Sequence, residues 1–480
     1  MKLSLILAGL GVSFSLAQAS ASGLAYLNDM RVEAGLAPLN ANADLQRSAQ
    51  NHSHYLYLNH ITGHSEDSSL DGFTGETPAE RGIEAGYRSV NISENVSWGQ
   101  QDVYSSIDKL FAGIYHRFTF LSMGKDEIGI GIEAKHYTFD LGNSRLDDLC
   151  RNHTYSWGRY YYNACRDSEK KIEVAAYDEA RDHDKSADNA PEIVVWPPRN
   201  GNGVLPGFYA ENPDPLPDHE VSGYPVSVEF NSVTYPLAPE EVSLTLQDDE
   251  GNPLESIMLM DRNNDPQQHL TAHQFALFPL EHLEWGSTYQ ATLDFDGQSR
   301  QWCFATRSLS TFGADRVYRI DQIDDLERSI VSGKTYALYF VPQDSGDMFD
   351  RYHYRYNSQK PDISFVDRNT LLVTVSGEAG DTVMITVNRE TNQTVTLVIG
   401  ESDEAEVPAA ETCNGTTVWD THSVESSAQS RATSTDASED DTSLDVGTTA
   451  DSAGGFPLLL IGFSLLMALR RLRHSEEMAQ

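Results

Sequence analysis

The chain is poor in basic residues. Its 480 residues carry 34 Lys and Arg against 72 Asp and Glu, a formal net charge of −38, and such a surface repels nucleic acid. Signatures of common hydrolases and nucleotide-binding proteins are missing as well. No HExxH occurs, since His219-Glu220 is followed by Val-Ser-Gly-Tyr; there is no Gly-x-Ser-x-Gly elbow and no phosphate-binding glycine loop. Asp261-Arg-Asn-Asn-Asp265 begins like a calcium loop, but Pro266 stands where that loop needs glycine, so it reads as a polar turn. Long apolar runs are confined to the two ends, and cysteines number four.

The N-terminus has Lys2, an apolar run Leu3–Leu16 and small residues at Ala17-Gln-Ala19 and Ala19-Ser-Ala21, the pattern of a signal peptide over residues 1–21. At the other end Gly454-Gly455, the apolar run Phe456–Leu469 and Arg470, Arg471 and Arg473 occupy residues 454–473. Fourteen apolar residues are short for a membrane span, which needs about 20, and the arginines would hold that end in the cytoplasm. This order resembles the GlyGly-CTERM sorting signal of Gram-negative bacteria, which implies cleavage of the tail and release to the cell surface; a plain single-pass anchor is the alternative. An exported chain uses cysteine in disulfides. Cys150 and Cys165 flank a short loop and are expected to pair, whereas Cys303 and Cys413 can pair only if the tail folds back.

More than 430 residues lie between the terminal signals, enough for two or three domains. Residues 24 to 120 read helical: Leu24, Leu27, Arg31 and Ala34 keep a helical period up to Gly35, a second helix carries Leu45, Ala49, His52 and Leu56, and a third carries Val103 through Leu121. The period then changes to two. In Glu127-Ile-Gly-Ile-Gly-Ile132 the isoleucines share one face and Gly129 and Gly131 the other, a face on which another backbone or a ligand can come close. Tyr137, Phe139 and Leu141 alternate with His136, Thr138 and Asp140. Helices on a small antiparallel sheet make an α+β domain, placed at 24–180. A Pro-rich connector with too many prolines and glycines for regular elements, followed by short alternating runs, reads as a β-sandwich-like domain over 191–308. A second β-rich domain follows at 309–400, and an acidic Ser/Thr-rich stretch at 401–453 reads as a disordered linker.

Asn91-Ile-Ser and Asn95-Val-Ser are glycosylation sequons around Glu94, incidental if the chain is bacterial. The motifs MRVEAGLAPLNANADLQRSAQNHSHYL, GHSED, AERGIEAGYRSVNISENVSWG, IYHRFTFLS, EIGIGI and HYTFDLG follow the order of the bacterial CAP superfamily (cysteine-rich secretory protein, antigen 5, pathogenesis-related 1). The resemblance covers about residues 24–145, a quarter of the chain, and implies an α-β-α sandwich with a cleft where two His and two acidic residues can hold a divalent metal. Carried over, it implies His64 and Glu94 as cleft residues, His116 in the place of the second glutamate, and His136 as the second family histidine. Asn95 would fix a turn that aims Glu94 at His64, with Trp98 packing beneath. Three imidazoles and one carboxylate are a competent Zn²⁺ set.

Each residue also has a plainer reading. His64 would be a loop histidine, His116 an exposed helix end and His136 a solvent-facing strand residue, while His52, on an apolar face, reads as a buried hydrogen-bonded core histidine. Tyr55, Tyr57 and Trp98 read as packing residues. The resulting expectation is an exported, surface-displayed, non-enzymatic protein that binds a small lipid, glycan or peptide, with a membrane contact through its C-terminus. A metal-dependent hydrolase, in which zinc lowers the pKa of bound water towards about 7, and a passive scaffold are the alternatives.

Overall fold

The computed structural model describes residues 2–389, 392–413 and 443–445. The first helix, α1 (Lys2–Glu33), runs through the expected signal segment and ends before Gly35, whose φ of 85° suits glycine alone. The following elements are β1 (Asn40–Ala41), α2 (Ala43–Asn59), α3 (Pro78–Ala85), β2 (Ser93–Trp98), α4 (Val103–Ala112), α5 (Ile114–Phe120), β3 (Glu127–Glu133), β4 (His136–Gly142) and α6 (Ser144–Asn152). The strands form one sheet in the order β1-β3-β4-β2, with β1 parallel to β3 and the β3–β4 and β4–β2 pairs antiparallel.

The two faces of β3 explain the layers. A Cβ built on Gly129 would lie 2.0 Å from the Leu45 carbonyl carbon, and one on Gly131 2.0 Å from the Ala49 oxygen. The glycine face therefore receives the backbone of α2. Ile128, Ile130 and Ile132 point the other way, into a buried cluster with Leu27, Val103, Ile107 and Phe111 of α1 and α4. Asn42 caps α2 by accepting from the Asp44 and Leu45 amides, and Thr77 and Glu80 form a capping box on α3.

The helix expected from Val103 to Leu121 is interrupted. Gly113, at φ −81° and ψ 130°, separates α4 from α5, and the Glu211 carboxylate sits where its Cβ would be, with an oxygen 1.9 Å away, so only glycine fits. The apolar stripe continues across the break, so the periodicity alone does not reveal it.

The Pro-rich passage is more regular than its composition implies. It contributes the strands Ile193–Trp196, Gly201–Val204, Gly207–Tyr209 and Val221–Gly223. With the residues up to Thr306 these build two four-stranded sheets and a two-stranded one. Their buried side chains join the cluster beneath α4, where Phe111 and Trp196 pack at a tilt with ring centres 4.7 Å apart. Buried Arg117 ties the regions together, donating to the Phe111 and Pro225 carbonyls at 2.6 Å each while its guanidinium lies 4.7 Å from the Tyr224 ring centre. Residues 316–400 form two further four-stranded sheets, whose inner residues, among them Ile320, Leu338, Ile385 and Leu397, meet in a second cluster.

The expected Cys150–Cys165 disulfide is formed, and so is Cys303–Cys413, which the sequence left open. The second needs the returning tail. Residues 401–413, expected to be a disordered linker, instead run back along the fold: Glu406 bridges Val317, and the Cys413 amide donates to Asn202. The rest of that linker, apart from 443–445, and the 454–473 segment lie outside the described residues. Among the described residues no helix is long and apolar enough to cross a membrane.

Candidate functional site

Three elements converge on Glu94. It stands in β2 directly opposite Asp140 of β4, so both side chains point to the same face of the sheet, where α2 covers them and Ser53 of α2 donates to Thr138 at 2.9 Å. Helix α3 supplies Arg81, whose Nη2 donates to Glu94 Oε2 at 2.5 Å. The loop after α2 supplies His64, whose Nδ1 lies 2.9 Å from Glu94 Oε1. Arg81 also fixes that loop by donating from Nη1 to the His64 carbonyl at 2.8 Å. Glu94 and Arg81 are buried, whereas the His64 side chain is 22% exposed.

A second carboxylate backs the first. His52 Nδ1 lies 2.9 Å from Glu66 Oε1 and its Nε2 is 2.9 Å from the Gly63 carbonyl. Both ring nitrogens thus have an oxygen within hydrogen-bond distance. Glu66 also accepts from the Thr74 amide at 2.6 Å. His52 is therefore the buried, hydrogen-bonded histidine its helix position implies, and it also lies 3.9 Å from Glu94.

Burial alone would raise the Glu94 carboxyl, but the Arg81 charge, with His52 and His64 beside it, holds it far below the usual carboxylate range. Asp140 behaves oppositely: burial first, then the neighbouring Glu94 charge, push its carboxyl well above the ordinary value. The two environments thus push the pair apart, favouring the charge on Glu94 over one on Asp140. Linkage fixes the signs. The Glu94 contribution is present above its unfolded pKa of about 4.3 and is lost as pH falls. The Asp140 term has the reverse sign, because a carboxyl that stays protonated in the fold costs stability once pH rises above about 3.9, its unfolded value. Asp140→Asn, which mimics the protonated acid, is expected to stay within about 1 kcal/mol of wild type at pH 5 and to be the more stable protein at pH 8. Thermal melts across pH check this; a variant less stable than wild type at pH 8 contradicts it.

The four residues expected to share a cleft do not converge. His64 and Glu94 meet, but the side chain of His116 turns to the connector, with Nδ1 2.8 Å from Glu211 Oε2, and it is buried rather than an exposed helix end. His136 is buried too, its ring 6.3 Å from that of Tyr57 and 6.5 Å from that of Trp98; burial pushes its pKa down, so it is not the solvent-facing residue of the plainer reading. Asn95 lies within β2 rather than in a turn, and its amide donates to the His116 carbonyl at 2.8 Å. Trp98 is 57% exposed and does not pack beneath Glu94, and Tyr57 is exposed as well. Among the described residues no group of three or more His, Cys, Asp or Glu is placed to hold a metal ion. The donor set also fits a metal poorly, since both Glu94 oxygens are taken by Arg81 and His64.

Arg81, Glu66 and Asp140 are site residues that the sequence reading misses. Glu66 lies in the GHSED motif and Asp140 shares the His136 face, so both carried a signal; Arg81 had only its place in a short helix. The His116–Glu211 pair is buried, and Glu211→Ala is expected to destabilise the protein by about 1–3 kcal/mol, read as a lower midpoint in urea unfolding. An unchanged midpoint would show that the connector is held without it.

Comparison with known proteins gives a family match in one region. Residues 24–139 match the family model described as the cysteine-rich secretory protein family, CAP. Among solved structures, the chain is similar to an extracellular protein containing an SCP domain from Bacillus anthracis str. Ames, at 18% identity and a TM-score of 0.24 over 26% of this chain and 42% of that one. A cysteine-rich secretory protein from Staphylococcus aureus subsp. aureus Mu50 gives 21% identity and a TM-score of 0.18 over 26% and 38% of the two chains. An outer surface protein from Borrelia burgdorferi gives 15% identity and a TM-score of 0.22 over 25% and 87%. The chain thus spans less than half of the Bacillus and Staphylococcus proteins. No curated protein matches it.

Proposed function

We propose that the chain is an exported protein displayed at a bacterial cell surface, whose CAP-type domain binds a small lipid, glycan or peptide at the rim around His64. The domain reads as an α-β-α sandwich, and the two β-rich regions read as sandwich-like spacers that carry the rim away from the membrane. Export rests on the N-terminal signal pattern and on the family matched by residues 24–139. Display rests on the GlyGly, apolar and Arg order of the tail.

One observation carries the binding role: of the buried ionic cluster, His64 alone has a side chain open to solvent, and its orientation is imposed by Glu94. With Nδ1 engaged by the carboxylate, Nε2 is the nitrogen left to meet a ligand. Catalysis has less support. Among the described residues no Ser, Thr or Cys side chain hydrogen-bonds His64, so no nucleophile is paired with it. The zinc hydrolase reading required His116 beside His64 and Glu94, and His116 is committed to Glu211.

Arrays of lipids, glycans and peptides probed with the purified chain and with His64→Ala test the proposal. The expected result is a set of ligands retained by wild type and lost in the variant, with unchanged melting. Identical binding by both proteins overturns it.

A further inference from the structure

A second concave site lies on the opposite side of β2. Ser93 and Glu94 point to opposite faces of that strand; Glu94 faces His64, and Ser93 lines a cavity of about 330 Å³ between the first region and the sheet carrying Phe230. That size falls within the range of small-ligand sites, about 300–1,000 Å³, and an interface between two folded regions is a common place for one.

The lining combines three kinds of group. Lys125, Arg181 and Lys185 outnumber the acids Asp182 and Glu229. Lys125 donates from Nζ to both oxygens of Asn91, at 2.9 and 2.6 Å. Lys185 reaches Ser232 and Asp182 at 3.3 Å each, and Arg181 is held by Asp178 and Asp182. Buried Arg31 adds positive charge that acts on Asp184 and Asp126 first and on Glu229 after them. The lining also holds neutral hydrogen-bonding groups, including Thr119, Ser122, Thr271 and Gln274, and Phe118 and Leu270 add a small apolar surface, Phe230 being packed behind it.

A lipid tail would leave those hydroxyls and amides unpaired, and a simple inorganic anion would not use the apolar surface. We infer that this cavity binds a sugar acid, with its carboxylate toward Lys125 and Lys185, its hydroxyls on the Thr, Ser and Gln side chains, and its apolar ring face toward Phe118 and Leu270. The inference is independent of the ligand at His64.

Isothermal titration calorimetry of the full chain with galacturonate and glucuronate, and with galactose and glucose as neutral controls, tests it. At least one acid is expected to bind, about tenfold or more tightly than its neutral sugar, because charge-assisted bonds supply the difference. Lys185→Met should weaken the acid by about tenfold, Leu270→Trp should fill the cavity and abolish binding, and His64→Ala should leave it unchanged, each variant being checked for an unaltered melting transition. No heat from either acid, equal affinity for acid and neutral sugar, retained binding in Leu270→Trp, or loss in His64→Ala would overturn the assignment.

Discussion

Arg81→Ala is expected to lower the stability of the N-terminal region by about 3–5 kcal/mol, because it leaves Glu94 charged and buried without its main counter-ion. The guanidinium is the main influence holding Glu94 ionised against burial, and it also donates to the His64 carbonyl. Its removal therefore has two effects. The carboxyl of Glu94 takes up a proton more readily, and the loop bearing His64 loses an anchor. Glu94→Gln should cost less, since it removes the charge that needs compensation, although the carboxylate paired with Arg81 is then Glu66, 3.8 Å from its Nε. The order of the two variants in urea unfolding is the check: Glu94→Gln more damaging than Arg81→Ala would mean that the arginine is not the principal counter-charge.

Gly131→Val is expected to cost about 3 kcal/mol or more and to prevent α2 from docking, because overpacking against backbone cannot be relieved by a rotamer change. A side chain at this position meets backbone rather than a flexible neighbour, with the Ala49 oxygen 2.0 Å and the Gln50 amide nitrogen 2.5 Å from its first carbon. Because α2 carries His52 and roofs the Glu94 face, the site should fail with the sheet. Gly99→Ala makes the contrast. That glycine has positive φ but nothing within 4 Å of its added carbon, so only backbone strain of about 1–2 kcal/mol applies. Circular dichroism melts of the two variants separate the effects, and equal losses would contradict the close-packing explanation.

What could be read in the sequence was what local periodicity encodes. The isoleucine and glycine alternation of residues 127–132 marked both the core face and the face that accepts a backbone, and the structure adds that the backbone is α2. The His64–Glu94 contact followed from family motifs rather than from spacing, since 30 residues separate the pair. The rest of the cluster was hidden for physical reasons. Arg81 in a short polar helix is indistinguishable from the many exposed arginines of helix surfaces. The polar face of β4 looked solvent-exposed because alternation shows that two faces differ, not that one is wet; every residue from His136 to Gly142 is buried. His116 was misplaced because its partner Glu211 lies 95 residues away, beyond any local pattern, and the same carboxylate lies against Gly113.

The central claim is that Glu94 acts on a ligand through His64. Its most direct test is a double-mutant cycle with His64→Ala and Glu94→Gln, measured as affinity for whichever array ligand the wild-type chain retains. The expected result is strong coupling: each single variant loses binding, and the double variant loses little more, with a coupling energy of about 1 kcal/mol or above. Additive losses, or full binding in either single variant, would contradict the account.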